Sequence, residues 1–519
     1  MPPPRSRTLF NTVVVALGYF ASRVLGLVRD MFITAQFGTS PAVDAYRAAF
    51  ALPDLLYLVV AGGALGTALI PVLQERRREG GEDAGWALAN AVLNTALPVL
   101  IGCAVIGLIF AEPIVAATTA RGFAAADQAL AAHLMRLLLL QPILLGVGGI
   151  AKATLEAHEQ FRIPTLGSNL YNVGIIAGAA LLAPFWGIDG LVYGVLLGAV
   201  GFVVVQIPAL RRLGWSYQPV GRTTPGLAQV VRLILPRVFG QSVWQINLTT
   251  MIALTSSFGV GAVAASGYAM QLMLLPHGLI GLSIGTVLFP LLAQHLAAGA
   301  HAAFAGAANR ALQSVLAITL PAAVVLYAGA PVVVQVLFVR GSFDPASAAL
   351  TTAALRGYAI GLAGFSVAEI AVRVWYALQN TRLPVVVGTV TVALNLGFGW
   401  ALTQSGAVVE RVERLAQVFS AANIIEALAL VLLLRRAHPA IQLIHSTRDW
   451  LLSLGGMVLL LSISPRFLPP LPPTGLRTAD DWWIAGGHLV SLGVAFGWGV
   501  WWGSGRFALI RAARRGDTA

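Results

Sequence analysis

The chain reads as an all-α polytopic membrane protein: about 14 transmembrane helices, as two six-helix lobes plus two C-terminal helices. Three observations predict this. Of 519 residues, 57% are hydrophobic and only 10% charged, with mean hydropathy +0.80; soluble domains carry about 25% charged residues. Apolar windows of spanning length recur from end to end. And the sequence repeats itself.

The windows place spans at 9–36, 45–73, 86–110, 130–156, 164–184, 189–210, 228–257, 262–294, 305–337, 348–378, 384–403, 413–434, 449–465 and 482–503. Several exceed the roughly 20 residues needed to cross, so tilt or kinks are expected. Pro53, Pro236 and Pro276 are the candidate kinks. The basic, proline-rich start from Met1 to Arg7 superficially resembles a leader, but Arg23 arrives where the apolar run should continue, so a retained first helix is expected. Arginine dominates one set of loops, from Arg76-Arg77-Arg78 and Arg211-Arg212 to the tail at Arg514-Arg515. The positive-inside rule puts those loops and both termini in the cytoplasm, which requires an even number of spans. The connector from Pro465 to Asp481, with four prolines between 469 and 473, is then external.

Leu65 to Leu73 (LGTALIPVL) recurs as Ile284 to Leu292 (IGTVLFPLL), 219 residues later. Phe37-Gly38 recurs as Phe258-Gly259, and the stretch Ala157 to Pro164 as Ala377 to Pro384, at nearly the same spacing. The offset spans six helices, an even number, so the two halves share one topology. Parallel halves of this kind form transporters with the site between them. The division is 1–220, 221–440 and a 441–519 appendage of two helices and a basic tail.

Net charge is +12, and Lys152 is the sole lysine. The cations lie in short loops and the tail, without basic arms or interleaved aromatics, so nucleic-acid binding is excluded. Cys103, the one cysteine, allows no intrachain disulfide and no cysteine metal site. There is no Walker loop, HExxH or GxSxG, which argues against an enzyme or an ATP-driven pump.

The candidate chemistry lies where charge interrupts apolar helices. An arginine or aspartate at the bilayer centre costs roughly 2.5–3.5 kcal/mol by insertion measurements and survives facing a lined or hydrated cavity. In the first span, Arg23 and Asp30 share a face, and Arg29 lies about 120° from Arg23. In the second, Asp44, Arg47 and Asp54 form one stripe, interrupted at Pro53. The competing reading is a salt bridge fixing packing, Arg29 with Asp30 or Asp44. In the seventh span Arg237, Gln241, Trp244 and Gln245 share a face; the alternative is that Arg232 and Arg237 snorkel to the cytoplasmic surface. Gln271 and His277 flank Pro276 in the eighth, where a hydrogen-bonded interior histidine is the plainer reading. Glu369 and Arg373 are an i,i+4 pair that neutralises itself, and Glu426 is a lone acid that would suit proton or cation coupling.

Guanidinium binds phosphate bidentately and keeps its charge. An arginine-led cavity therefore suits a phosphate-bearing anion such as a lipid-linked diphosphate. Carrying negative charge outward across an inside-negative membrane is favourable by about 2.3 kcal/mol per charge per 100 mV.

Ser22-Arg23-Val24-Leu25-Gly26-Leu27-Val28-Arg29-Asp30, followed by Phe37-Gly38, Asp44-Ala45, Leu52-Pro53 and Gly66 to Pro71, resembles the MurJ (MviN) family of the multidrug/oligosaccharidyl-lipid/polysaccharide exporter superfamily. The resemblance implies a lipid II flippase of peptidoglycan synthesis, working by alternating access between two lobes. By position it carries over Arg23, Arg29 and Asp44. Asp54 stands where the family often has asparagine, and Tyr57 and Gln271 stand where it has arginines; Leu274 replaces an acid. Arg237 is the expected replacement for lost charge. The resemblance implies membrane lipids and cell-wall synthesis proteins as partners and no cofactor, with a cation or the membrane potential as drive. The alternatives are a flippase for another lipid-linked oligosaccharide, a cation-coupled drug exporter and an inactive scaffold paralogue.

Overall fold

The computed structural model describes residues 5–60, 64–221, 223–441, 447–472 and 475–503, and these are helical almost throughout, without strands. In chain order the helices are α1 (Arg5–Phe37), α2 (Pro41–Ala49), α3 (Ala51–Val60), α4 (Ala64–Ile109), α5 (Ala111–Ala117), α6 (Ala125–Leu138), α7 (Leu140–Ala157), α8 (Arg162–Ala177), α9 (Ala183–Val204), α10 (Ile207–Arg212) and α11 (Leu227–Ser256). There follow α12 (Ala262–Ala297), α13 (His301–Phe338), α14 (Pro345–Ala377), α15 (Arg382–Leu402), α16 (Val408–Ala437), α17 (Thr447–Phe467) and α18 (Ala479–Gly503). Each of the fourteen spans read from the sequence is mostly helix among the described residues. Among the described residues nine stretches are long and apolar enough to cross a membrane, two of them, Leu65–Ile109 and Arg162–Arg212, long enough to hold more than one read span. The spans that fall short of that test include the first, second and seventh, which carry most of the candidate polar residues. The chain divides into two compact units, Met1–Val263 and Ala264–Ala519.

Proline decides where the early helices break. The second span is interrupted at Phe50, three residues before the proline expected to kink it. Pro53 has no N–H for the Ala49 carbonyl, so the ladder fails one turn upstream of the ring. Pro142 acts alike on the fourth span, which parts into α6 and α7 at Leu139. In contrast, α12 runs on through Pro276 and Pro290. The long α4 turns at Gly80 and Gly81, where Gly81 adopts φ +74°, a conformation without penalty only for glycine.

The duplication is visible in the backbone. Among the described residues the only non-glycine positions with positive φ are Glu159 (61°) and Gln379 (59°). They occupy the same place in the repeat, between α7 and α8 and between α14 and α15. Likewise α6–α7 corresponds to α14; the second copy, without a proline at the matching point, is one continuous helix.

Small residues let helices touch backbone to backbone. A methyl group added at Gly178 would come 2.5 Å from the Gly194 Cα, and one at Gly174 would come 2.4 Å from Gly198. Gly174 of α8 and Gly178 just past its end thus meet Gly194 and Gly198 of α9 in the close seam through which membrane helices gain van der Waals contact. In the second unit α14 packs between α13 and α16, with Val315, Ile370, Val374 and Leu430 in its core, while α17 and α18 pair with each other and with α13.

Candidate functional site

In the first unit the polar residues of α1, α2, α3, α7 and α8 gather into one interior cluster. Arg29 donates from Nε and Nη2 to Asp30 Oδ1, each at 3.0 Å. Asp30 is 2% exposed, so the pair answers a carboxylate that would otherwise be stranded in low dielectric. The field of Arg29 also reaches Tyr46, Tyr171 and Asp54, and Tyr57 lies within reach of Asp54. Tyr46, buried, packs edge-on against Phe50 at 4.9 Å. Tyr171 accepts from Gln141 Nε2 at 3.0 Å. Tyr57 and Tyr171 both lean on a small core of Leu145, Ala199 and Phe202.

The candidates fall into distinct groups. Arg29 is paired with its neighbour, as the packing alternative required. Arg23, half-buried six residues earlier on α1, makes no hydrogen bond or ion pair among the described residues. Beside it Asn172 Nδ2 donates to Ser22 Oγ at 3.3 Å, tying α8 to α1. Asp54 is half-buried with no hydrogen bond to its carboxylate among the described residues. Asp44 stands apart: buried, it accepts the Gly261 backbone N–H at 2.6 Å. Gly261 has φ +82°, and a methyl group there would come 2.7 Å from Thr39 Oγ1. Asp44 therefore pins the turn after α11 to the start of α2. Arg237 and Gln241 are on α11, but their side chains lie outside the described residues.

The second unit holds closed pairs. Arg373 Nη2 donates to Glu369 Oε1 at 2.8 Å, and the guanidinium fills the space a side chain at Gly285 of α12 would need. His277 Nδ1 and Ser366 Oγ are 3.0 Å apart, with Phe365 edge-on to the ring at 4.6 Å. Tyr358 and Ser266 share a hydrogen bond of 3.2 Å. Gln271 is half-buried on α12. Glu426 of α16 lies beside Gly388 and Thr391 of α15, within the field of Glu369. Arg356 of α14 is the exception: it makes no ion pair among the described residues, and its Nε is buried without a hydrogen bond.

The sequence reading passed over Gln141, Tyr171 and Arg356. Their signal was present, since each is a polar side chain in an otherwise apolar run, the same cue that marked Glu426. It also passed over a clamp at the α4 turn. Arg77 holds Glu82 through Nε and Nη2 and donates Nη1 to the Ala157 carbonyl at 3.1 Å. His158 Nε2 is 3.1 Å from the same carboxylate, with its ring stacked on Trp86 at 4.7 Å. The Arg77 hydrogen bonds, then the His158 contact, hold the Glu82 carboxyl below its ordinary range.

A family model described as lipid II flippase MurJ matches residues 33–468. A lipid II flippase MurJ of Burkholderia cenocepacia is 31% identical over 388 residues, 73% of this chain and 75% of the relative. A probable lipid II flippase MurJ of Bdellovibrio bacteriovorus is 28% identical over 468 residues, 88% of each chain. A solved lipid II flippase MurJ in an inward closed conformation superposes with TM-score 0.77 at 22% identity, covering 93% of this chain and 97% of that one. An inward-facing multidrug resistance MATE family transporter of the MOP superfamily superposes with TM-score 0.66 at 16% identity, covering 81% and 95%. At those identities the structural likeness is one of fold. Sequence match, fourteen occupied spans and charged interior together lead to one assignment: the chain belongs to the lipid II flippase MurJ family, multi-pass transporters of the bacterial inner membrane rather than enzymes.

Proposed function

We propose that this protein carries lipid II, the polyprenyl-diphosphate-linked precursor of peptidoglycan, from the cytoplasmic to the outer leaflet by alternating access, with both termini in the cytoplasm. The observation that carries the reading is Arg23: a guanidinium inside a spanning helix, half-buried, with no counter-charge among the described residues. An unpaired arginine there suits a diphosphate, which accepts its fork of N–H donors and supplies the missing negative charge. Arg29 adds positive field six residues further along α1, tempered by Asp30. Arg237 and Gln241 on α11, and Gln271 on α12, are further contacts in this reading, with the sequence halves 1–220 and 221–440 as the moving parts. Asp44, in the first of those halves, holds the turn after α11, in the second. The membrane potential drives the anion outward, and Glu426 is the site for a coupled cation. Enzymes that make and use the precursor are the natural protein partners.

The test is rescue of a strain depleted of its lipid II flippase, with precursor exposure at the outer leaflet measured in the same cells. The expected result is growth and restored exposure. Normal membrane insertion with neither would overturn the reading, and would favour a different lipid-linked oligosaccharide or a scaffold; the loss of arginine at Tyr57 and Gln271 gives those alternatives their weight.

A further inference from the structure

We propose that Asp54, Tyr57, Gln141 and Tyr171 form a subsite for the hydroxyl- and amide-bearing part of the headgroup, its glycan, and not for the diphosphate. The inference rests on the lipid-linked glycan reading and assigns the parts of that ligand to different residues. Four polar groups from α3, α7 and α8 lie in one cluster, and each has unmet hydrogen-bonding capacity. The Gln141 side chain is 2% exposed, its Nε2 committed to Tyr171, and its Oε1 is buried without a donor. The Tyr171 hydroxyl accepts that bond and donates none among the described residues. Tyr57 and Asp54 have no side-chain hydrogen bond among the described residues.

The chemistry of these vacancies selects the ligand. Gln141 Oε1 and the Asp54 carboxylate need donors, whereas the two phenols offer donors. A sugar hydroxyl or N-acyl group both donates and accepts, so it satisfies all four. A diphosphate only accepts: it leaves Gln141 Oε1 unmet and meets the Asp54 charge with like charge. The field of Arg29 that reaches Asp54 and Tyr171 is tempered by Asp30, which accepts both of its hydrogen bonds among the described residues. Both phenol rings rest on the Leu145, Ala199 and Phe202 core, which fixes them as a platform. The uncompensated cation, Arg23, is on a different helix, α1, at the end of the cluster where Ser22 meets Asn172, the neighbour of Tyr171. Diphosphate at Arg23 and glycan at the phenols is thus the order that charge dictates.

The experiment uses the full-length protein in lipid nanodiscs and two probes, lipid II and undecaprenyl diphosphate, which lacks the glycan. Tyr57→Phe, Gln141→Leu and Asp54→Asn are each expected to weaken lipid II binding about fivefold, the worth of one ordinary hydrogen bond, and to leave undecaprenyl diphosphate unchanged. Arg23→Ala is expected to weaken both. Equal losses for both probes, or no loss for either, overturn the subsite. Should Gln141→Leu unfold, Tyr57→Phe, which removes a single oxygen, decides the matter. A wild type that binds neither probe refutes the lipid-linked reading and the subsite with it. That outcome is distinct from a wild type that binds both and variants that fail to discriminate.

Discussion

Asp54, Tyr57 and Gln141 Oε1 in the first unit lack side-chain partners among the described residues, whereas in the second unit Glu369 holds Arg373, His277 meets Ser366 and Tyr358 meets Ser266. Both sets interrupt apolar helices, and both carry a desolvation penalty. The closed set answers that penalty within the protein, so its worth is structural. The open set does not, and its members are arranged to be answered by something else. The same contrast runs through the repeat itself. The α6–α7 copy is broken at Pro142, next to Gln141, while the α14 copy is continuous and carries the closed pairs. A polar residue in a membrane helix is therefore a marker of function only after its partners are known.

The largest effect expected from this contrast is at Arg23. Arg23→Ala should reduce flipping at least tenfold with normal insertion, because the residue has no structural partner to lose; unchanged flipping would break the contrast at its strongest point. Next is the closed pair. Arg373→Ala strands Glu369 and should cost about 2–3 kcal/mol of stability, while Glu369→Gln with Arg373→Gln should cost much less, since no charge is left unmet. Thermal unfolding in detergent measures both, and equal losses would mean that the pair is not what the residues contribute. Asp44→Ala leaves the Gly261 N–H without its acceptor and should cost about 1–2 kcal/mol. Arg356 sharpens the contrast as an interior arginine of the second unit with no ion pair among the described residues: Arg356→Gln should lower flipping about threefold without shifting the unfolding midpoint, a loss the size of one exposed charge contact. The smallest effect is the Glu82 clamp. Its carboxyl is held below the ordinary value, so its contribution is complete above the usual carboxylate range. It is lost as pH falls through the lowered value, and Glu82→Gln should abolish that part of the acid dependence of unfolding.

Much of this was legible before any coordinates. Fourteen spans, the duplication and the polar stretches of the first, second and seventh helices follow from apolar run length and the positions of arginine, because lipid allows so few solutions for a buried backbone. The break in the second span was read at its cause, Pro53, and falls at its consequence, Phe50. The Glu369–Arg373 pair was legible because i,i+4 spacing is local. Gln141 and Tyr171 were not singled out, since they are 30 residues apart and each alone looks like an ordinary polar residue in an apolar helix.

By itself the amino-acid sequence determined that this chain spans the membrane many times, in two related halves, with arginines and acids inside the apolar spans. Run length, period and charge are properties of the chain taken in order. The tertiary structure decided what distance along the chain could not: that Asp44 is spent on the Gly261 N–H and Gln141 on Tyr171, that Arg29 closes on Asp30 rather than Asp44, and that Arg23 and Asp54 are left over among the described residues. For residues on different elements, partnership depends on separations of about 3 Å, and helix packing, not spacing along the chain, sets those separations.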